Sequence, residues 1–328
     1  MRWHIGICGV GVLALVGSAL ATAPEGAWRV FRGDAEMSGL SAGALKVPLK
    51  KVWTFQAGDP VMGTAVIADG LVYIGDGEGM MYCLKAADGK KVWEYESEGP
   101  IEGSACVAEG MLVFGSGDGL VYALDAKSGE FRWKYETDGE VLGGVNSFVD
   151  KKSGETRVVV GSYDYLVYCF EVKSGEKRWS FETTNYVNGA PTVAEGKVFF
   201  GGCDGFVYMV GASGGEEAGK VEIESYISNS VAVRDSVAYV GHYGNAVTAV
   251  DLKAGKVKWN YAEQNYPFFA APAVGEDFVI AASRDKRVYR LDRESGDKVW
   301  AFKTGGEVDS SPVVVGEVVL FGSSDGTF

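Results

Sequence analysis

Residues 112–133 read LVFGSGDGLVYALDAKSGEFRW. An apolar run ends in a glycine-rich turn, an alternating run follows, and a second glycine turn leads into a tryptophan-bearing run. The order is therefore strand, hairpin, strand, hairpin, strand. Ser104 to Ala108 adds one strand upstream, and Phe131 to Glu136 is the last. Each unit makes four short antiparallel strands.

The unit recurs along the chain. Trp53, Trp93, Trp133, Trp179, Trp259 and Trp300 are spaced by 40, 40, 46, 80 and 41 residues, with Gly219 where a further tryptophan is expected. Gly75, Gly115, Gly161, Gly201, Gly241 and Gly322 mark a second repeated position, where Ala282 stands in once. The extra length of the third repeat falls in the polar stretch Asp150 to Thr156, which reads as a surface loop insertion. No helical periodicity interrupts the pattern. Repeats of about 40 residues with four strands each mark a β-propeller, an all-β fold whose four-stranded antiparallel blades bury their faces against one another. Seven repeats are recognisable, the last incomplete, because the chain stops at Ser324–Phe328 where earlier repeats enter a third strand. An apolar strand edge left open invites aggregation. That favours a fragment of a longer ring, of eight blades as one expectation, over a gap filled by Trp28 to Arg32.

Composition supports a large core: of 328 residues, 47% are hydrophobic and 23% charged, and 47 glycines against 8 prolines serve many turns. A net charge of −13 disfavours nucleic acid and anionic membrane as partners. Arg2, the apolar run Ile5 to Val16 and Ala19-Leu20-Ala21 read as a cleavable signal over residues 1–21. Residues 22–50 are then a lead-in, residues 51–328 the propeller, and the mature protein periplasmic or secreted. No cysteine follows the apolar run to carry lipid, and no later stretch predicts membrane insertion.

The stretch Ala123-x-Asp125-x-x-x-Gly129-x-x-x-Trp133, with the preceding Gly-Ser-x-Asp-Gly-x-x-Tyr, resembles the tryptophan-docking motif of the pyrroloquinoline quinone (PQQ) repeat family. Gly89 and Trp93, Gly175 and Trp179, Gly255 and Trp259, and Gly296 and Trp300 repeat it, so the resemblance covers residues 51–328. It implies that each tryptophan lies on the outermost strand of a blade with its indole between blades. Trp53 would then sit on an outer strand separated from its own blade. The family includes PQQ-dependent dehydrogenases and non-catalytic members such as the propeller lipoprotein of the outer-membrane β-barrel assembly machinery. Many of the dehydrogenases carry a disulfide between adjacent cysteines. This sequence has no Cys-Cys pair and no assignable calcium ligands or catalytic aspartate. No cofactor is expected, PQQ with calcium being the alternative.

Residues that recur in every repeat are read as packing, among them Tyr82, Tyr122, Tyr168, Tyr208 and Tyr289. The Asp118-Gly119, Asp204-Gly205 and Asp325-Gly326 pairs read as two-residue hairpins whose central residues both take positive φ. Only His4 and His242 exist, which excludes a multi-histidine metal site. Cys83 and Cys169 fill the small slot of Ala123 and Ala249. With Cys106 and Cys203 they are expected to be free thiols.

Departures from the repeat are more informative. Seven residues after each tryptophan position stand Pro60, Pro100, Glu140, Tyr186, Tyr226, Tyr266 and Glu307. Strand reversal puts these loops on the same face as the Gly-x-Asp-Gly hairpins, beside Tyr163, Tyr165, His242 and Tyr243, with Asn185, Asn265 and Phe268 adjoining. An aromatic sector suited to recognition results; the alternative is packing between blades. The expected function is a non-catalytic, extracytoplasmic protein-binding or scaffolding module of the cell envelope. A PQQ-binding oxidoreductase or its vestige, and the sensor or ligand-binding part of a larger envelope protein, are the alternatives.

Overall fold

The computed structural model describes residues 27–263 and 265–328, so the leader assigned to residues 1–21 lies outside the described residues. Six four-stranded antiparallel sheets follow one another along the chain. In the first blade the strands are Val66–Ala68, Leu71–Gly75, Met80–Lys85 and Lys91–Glu96. Blades two to six repeat this over residues 106–136, 146–182, 192–222, 232–261 and 273–303. A seventh, three-stranded sheet joins Val313–Val315 and Val318–Leu320 to Leu40–Ser41, which runs parallel to the innermost strand with Leu40 opposite Val314. The protein is a β-propeller with seven blades among the described residues.

Local chemistry sets the turns. The first hairpin of a blade is a two-residue loop whose central residues both have positive φ: Asp69 and Gly70 (51° and 76°), Glu109 and Gly110 (47° and 78°), Glu195 and Gly196 (50° and 75°). That is the twist-matched hairpin turn. The Asp-Gly pairs do something different from the expectation. At Asp118-Gly119 only the glycine has positive φ, 83°, and the loop closes through Gly119 N–H to the Ser116 carbonyl at 3.2 Å. The aspartate instead caps the loop, its carboxylate accepting from the Leu120 N–H at 2.9 Å and the Tyr122 hydroxyl at 2.7 Å. Asp164 with Tyr168 and Asp204 with Tyr208 repeat the latter bond at 2.6 Å.

The core lies between blades. Tyr73 and Cys83 of the first blade share one cluster with Leu112, Phe114 and Tyr122 of the second. On the outer strands the indole of Trp93 lies against Gly129, where a Cβ would come within 2.7 Å of the ring, and its Nε1–H donates to the Ala126 carbonyl at 3.1 Å. Trp53, Trp133, Trp179 and Trp259 lie likewise on Gly89, Gly175, Gly215 and Gly296, with indole bonds of 2.8 to 3.0 Å to the next blade. Gly255, whose preceding repeat has Gly219 for tryptophan, meets nothing within 4 Å. Trp300 departs from the pattern and is 37% exposed.

Two segments add to the sequence reading, the first an exposed surface loop at residues 151–154 as expected. The insertion Asp150 to Thr156 is anchored, because Asp150 is buried and pairs with buried Arg157 at 3.2 Å. Arg157 also donates to the Ser213 carbonyl of the fourth blade at 2.7 Å. Residues 28–39, for their part, do not form a blade strand, and only Leu40–Ser41 joins the seventh sheet, at its inner edge. Their carbonyls accept, in ring order, the inward N–H groups of the innermost strands. Trp28 takes Ile67, Arg29 Val107, Ala35 Val193, Glu36 Val233, Ser38 Val274 and Gly39 Val314, at 2.7 to 3.0 Å. The third blade joins through Asn146 Nδ2 to the Ala35 carbonyl at 2.9 Å. One segment touches all seven blades along the axis.

Candidate binding face

The loops that lead from each outer strand to the next blade meet the second hairpins of the blades through one repeated bond. Cys203 N–H donates to the Tyr186 carbonyl at 3.0 Å, Tyr243 to Tyr226 at 3.1 Å, Tyr163 to Glu140 at 2.9 Å and Arg284 to Pro267 at 3.3 Å. These bonds place Tyr186 and Tyr226 at equivalent positions. They also correct the register of the third tyrosine: Pro267 holds the position assigned to Tyr266, which lies one residue earlier and is exposed. Phe268 accordingly takes the following position, which in other repeats is Ile101, Val141, Val187 and Ile227. All five are buried against the glycine that ends a neighbouring second strand. Phe268 is thus an inter-blade core residue.

His242 is also buried rather than presented on the face. Gly244 N–H donates to its Nδ1 at 3.1 Å, which leaves the proton on Nε2, 2.9 Å from Thr248 Oγ1. Thr248 in turn donates to Asn260 Oδ1 at 2.7 Å. This chain replaces the Asp–Tyr bond of other blades. Burial pushes the imidazole down to about 4, so it is neutral at pH 7.

What remains exposed is aromatic. Tyr163 stacks on Tyr186 at 4.6 Å between centroids, and Tyr165 meets Tyr186 edge-on at 5.3 Å. Tyr226 approaches Tyr243 at 6.3 Å, and Tyr243 packs on Phe269 at 4.4 Å. Tyr226 is 59% exposed, and Tyr165, Tyr186 and Tyr243 are each at least 40%. Asn185 holds the base of this group, its Oδ1 accepting from Tyr186 N–H and its Nδ2 donating to the Cys203 carbonyl. Asn265 accepts from Asn245. Two members were not read from the sequence, Phe269 and Arg284. The Arg284 guanidinium carbon stands 4.1 Å from the Phe269 ring centroid while Nε and Nη2 each donate to Asp309 at 2.9 Å. Arg284 occupies the repeat position of Tyr163 and Tyr243, which is the signal that locates it.

The electrostatics of this face are one-sided. Its loops in blades one to five, residues 57–64, 76–80, 97–104, 116–120, 137–144, 162–166, 183–190, 202–206, 223–230 and 242–246, contain no lysine or arginine. Glu78, Glu98, Glu102, Asp138 and Glu140 are exposed there, and among the described residues none lies within ion-pair distance of a cation. Burial raises the Tyr163 hydroxyl first, and the charges of Glu140 and Glu102 raise it further. The acidic arc therefore adjoins the aromatic one.

PQQ, a flat tricarboxylate, would need an enclosed slot with cationic partners. Residues 28–41 occupy the axis. A groove of about 1120 Å³ beside Trp300 and Phe302 is apolar, with Lys303 as its one cation. A hollow of about 370 Å³ is lined by Glu98, Asp118 and Glu136 against a single Lys134. These residues do not fit the group.

Seven sheets, six of them four-stranded and antiparallel, define the class of protein as a β-propeller of repeated blades. The sequence matches the family model described as outer membrane protein assembly factor BamB over residues 48–156, 149–205 and 203–328, and the chain belongs to this PQQ-like repeat family. Solved structures agree in fold. BamB from Moraxella catarrhalis superposes with a TM-score of 0.73 at 16% identity, covering 88% of this chain and 95% of that one. A europium-containing methanol dehydrogenase gives 0.75 at 11% identity over 92% of this chain and 88% of its own. The quinohemoprotein alcohol dehydrogenase of Comamonas testosteroni gives 0.71 at 13%, over 89% and 75%. No curated protein sequence matches significantly.

Proposed function

We propose that this protein is a non-catalytic protein-binding module of the cell envelope, exported by its N-terminal leader. Its partner docks on the aromatic sector of the loop face. The observation that carries this reading is two groups of exposed rings on neighbouring loops, Tyr165 with Tyr186 and Tyr226 with Tyr243, the latter resting on half-buried Phe269. Tyrosine gives large rigid contact area and a hydroxyl at little entropic cost, and contiguous exposed aromatics of this kind mark interaction sites. Membership in a family described as an outer-membrane assembly factor supports the envelope assignment. A photo-cross-linking residue at Tyr226, with Val257 on the exposed rim as control, should capture a defined envelope protein only at Tyr226. Tyr226→Ala should weaken that partner by about tenfold or more, as for a central aromatic anchor, while the melting temperature changes by less than about 2 °C. A large fall in melting temperature with unchanged capture would identify the ring as packing and overturn the reading.

A further inference from the structure

We infer that the loop face recognises a cationic segment of its protein partner, one that sets lysine or arginine side chains beside apolar ones. The inference rests on the protein-binding reading above and deepens it. Three observations converge. First, rings and unpaired carboxylates adjoin: half-buried Tyr163, stacked on exposed Tyr186, bonds the Glu140 carbonyl through its N–H at 2.9 Å, and Glu102 and Glu140 bear on its hydroxyl. Second, the loops of five successive blades on this face lack any lysine or arginine; among the described residues the one cation near these carboxylates is Lys134, which lines the hollow beside Glu98 without pairing with it. Third, the sixth-blade hairpin at the far edge of the face carries its own cations, Arg284, Lys286 and Arg287. Arg284 lies over the Phe269 ring at 4.1 Å and pairs with Asp309 at 2.9 Å, so ring and carboxylate are used together.

The physics of that pair extends to the unoccupied part. A cation over an aromatic face is drawn by the ring quadrupole. Neighbouring carboxylates raise its local concentration and its rate of encounter. Glu102 and Glu140 beside Tyr163, and Asp138 whose N–H donates to Asp164 of the same hairpin, offer both attractions within one patch, and apolar side chains of the same segment would cover Tyr226 and Tyr243. Anionic polymers and anionic lipid are repelled by the same carboxylates.

The test uses the chain from residue 22 onward and two capped peptides as probes, one of alternating lysine and leucine and one of alternating glutamate and leucine. Binding is followed by calorimetry at 50 and 300 mM salt, and by fluorine NMR of protein carrying 3-fluorotyrosine. The lysine peptide should bind one-to-one, weaken at high salt and shift the Tyr163, Tyr165 and Tyr186 resonances, whereas the glutamate peptide should not bind. Glu102→Gln with Glu140→Gln should weaken binding by about fivefold, the sum of two exposed charge pairs. Tyr186→Ala should weaken it by a similar factor. Thermal melts confirm that each variant is folded. Equal binding of both peptides, shifts confined to other tyrosines, or affinity unchanged in both variants would overturn the inference. If Tyr226→Ala abolishes capture of the envelope partner while neither peptide binds, the cationic assignment falls and the binding face stands.

Discussion

At the scale of single residues, the glycine that ends each second strand is fixed by its neighbour across the blade interface. A Cβ on Gly161 would lie 2.5 Å from Val187 Cγ1 and 2.8 Å from the Val187 carbonyl oxygen. Gly75, Gly115, Gly201 and Gly241 face Ile101, Val141, Ile227 and Phe268 in the same way. Gly110 is different: it has φ of +78° and nothing within 4 Å, so its constraint is backbone conformation alone. Gly161→Val should cost roughly 3 kcal/mol through overpacking, and Gly110→Ala about 1 kcal/mol, read from urea denaturation midpoints. Equal losses would show that conformation rather than contact governs both. The period of these glycines was legible in the sequence, and their partners were not. Tyr266 and Phe268 show why: one extra residue in the loop shifts the register, and only the backbone bond from Arg284 to Pro267 reveals the shift. Its loop position beside Tyr266 made Phe268 look like a surface aromatic, whereas the interface needed its volume.

At the scale of elements, every strand of blades one to six follows from alternation and turn chemistry, but the insertion Asp150 to Thr156 gains a role that polarity alone conceals. Burial by itself would raise the Asp150 carboxyl. Bonds from Ser213 and Ser153 and the charge of Arg157 outweigh it and hold the group well below the usual range. A carboxyl depressed in the folded state adds stability above its ordinary value of 3.8, and that stability is lost as pH falls through the folded value. Arg157→Ala leaves the buried Asp150 carboxylate itself uncompensated and should cost about 3–5 kcal/mol at pH 7. It should also shrink the loss of stability on acidification, because the variant has less of this term to lose. Denaturation series from pH 3 to 7 on both proteins check this, and parallel pH profiles would remove the ion pair from the account.

At the scale of the whole molecule, the segment 28–41 was the least legible part, and for a physical reason. It engages the blades through its own carbonyls, and its buried side chains, Val30, Arg32, Met37 and Ser38, follow neither strand nor helix spacing, so no periodic pattern marks it. Its contacts run from Ile67 in the first blade to Val314 in the seventh, which makes it a strap joining the first blade to the last. Inside it Arg32 is buried, its Nη1 donating to the Pro312 carbonyl at 2.6 Å, and desolvation lowers the guanidinium to about 9. Gly39 permits this fold-back, since its φ is +69° and a Cβ there would collide with the Arg32 guanidinium. Gly39→Val should therefore displace the second half of the strap and free the inward N–H groups of Val233, Val274 and Val314. Their hydrogen exchange should quicken by about tenfold or more, for a local loss of roughly 1.4 kcal/mol or greater, and the thermal transition should broaden as blades uncouple. Gly43→Val, where a Cβ meets Val315 Cγ1 at an ordinary 3.7 Å, should leave exchange unchanged. If both variants exchange like the wild type at those three amides, the blades are held by their mutual faces and the strap merely occupies the axis.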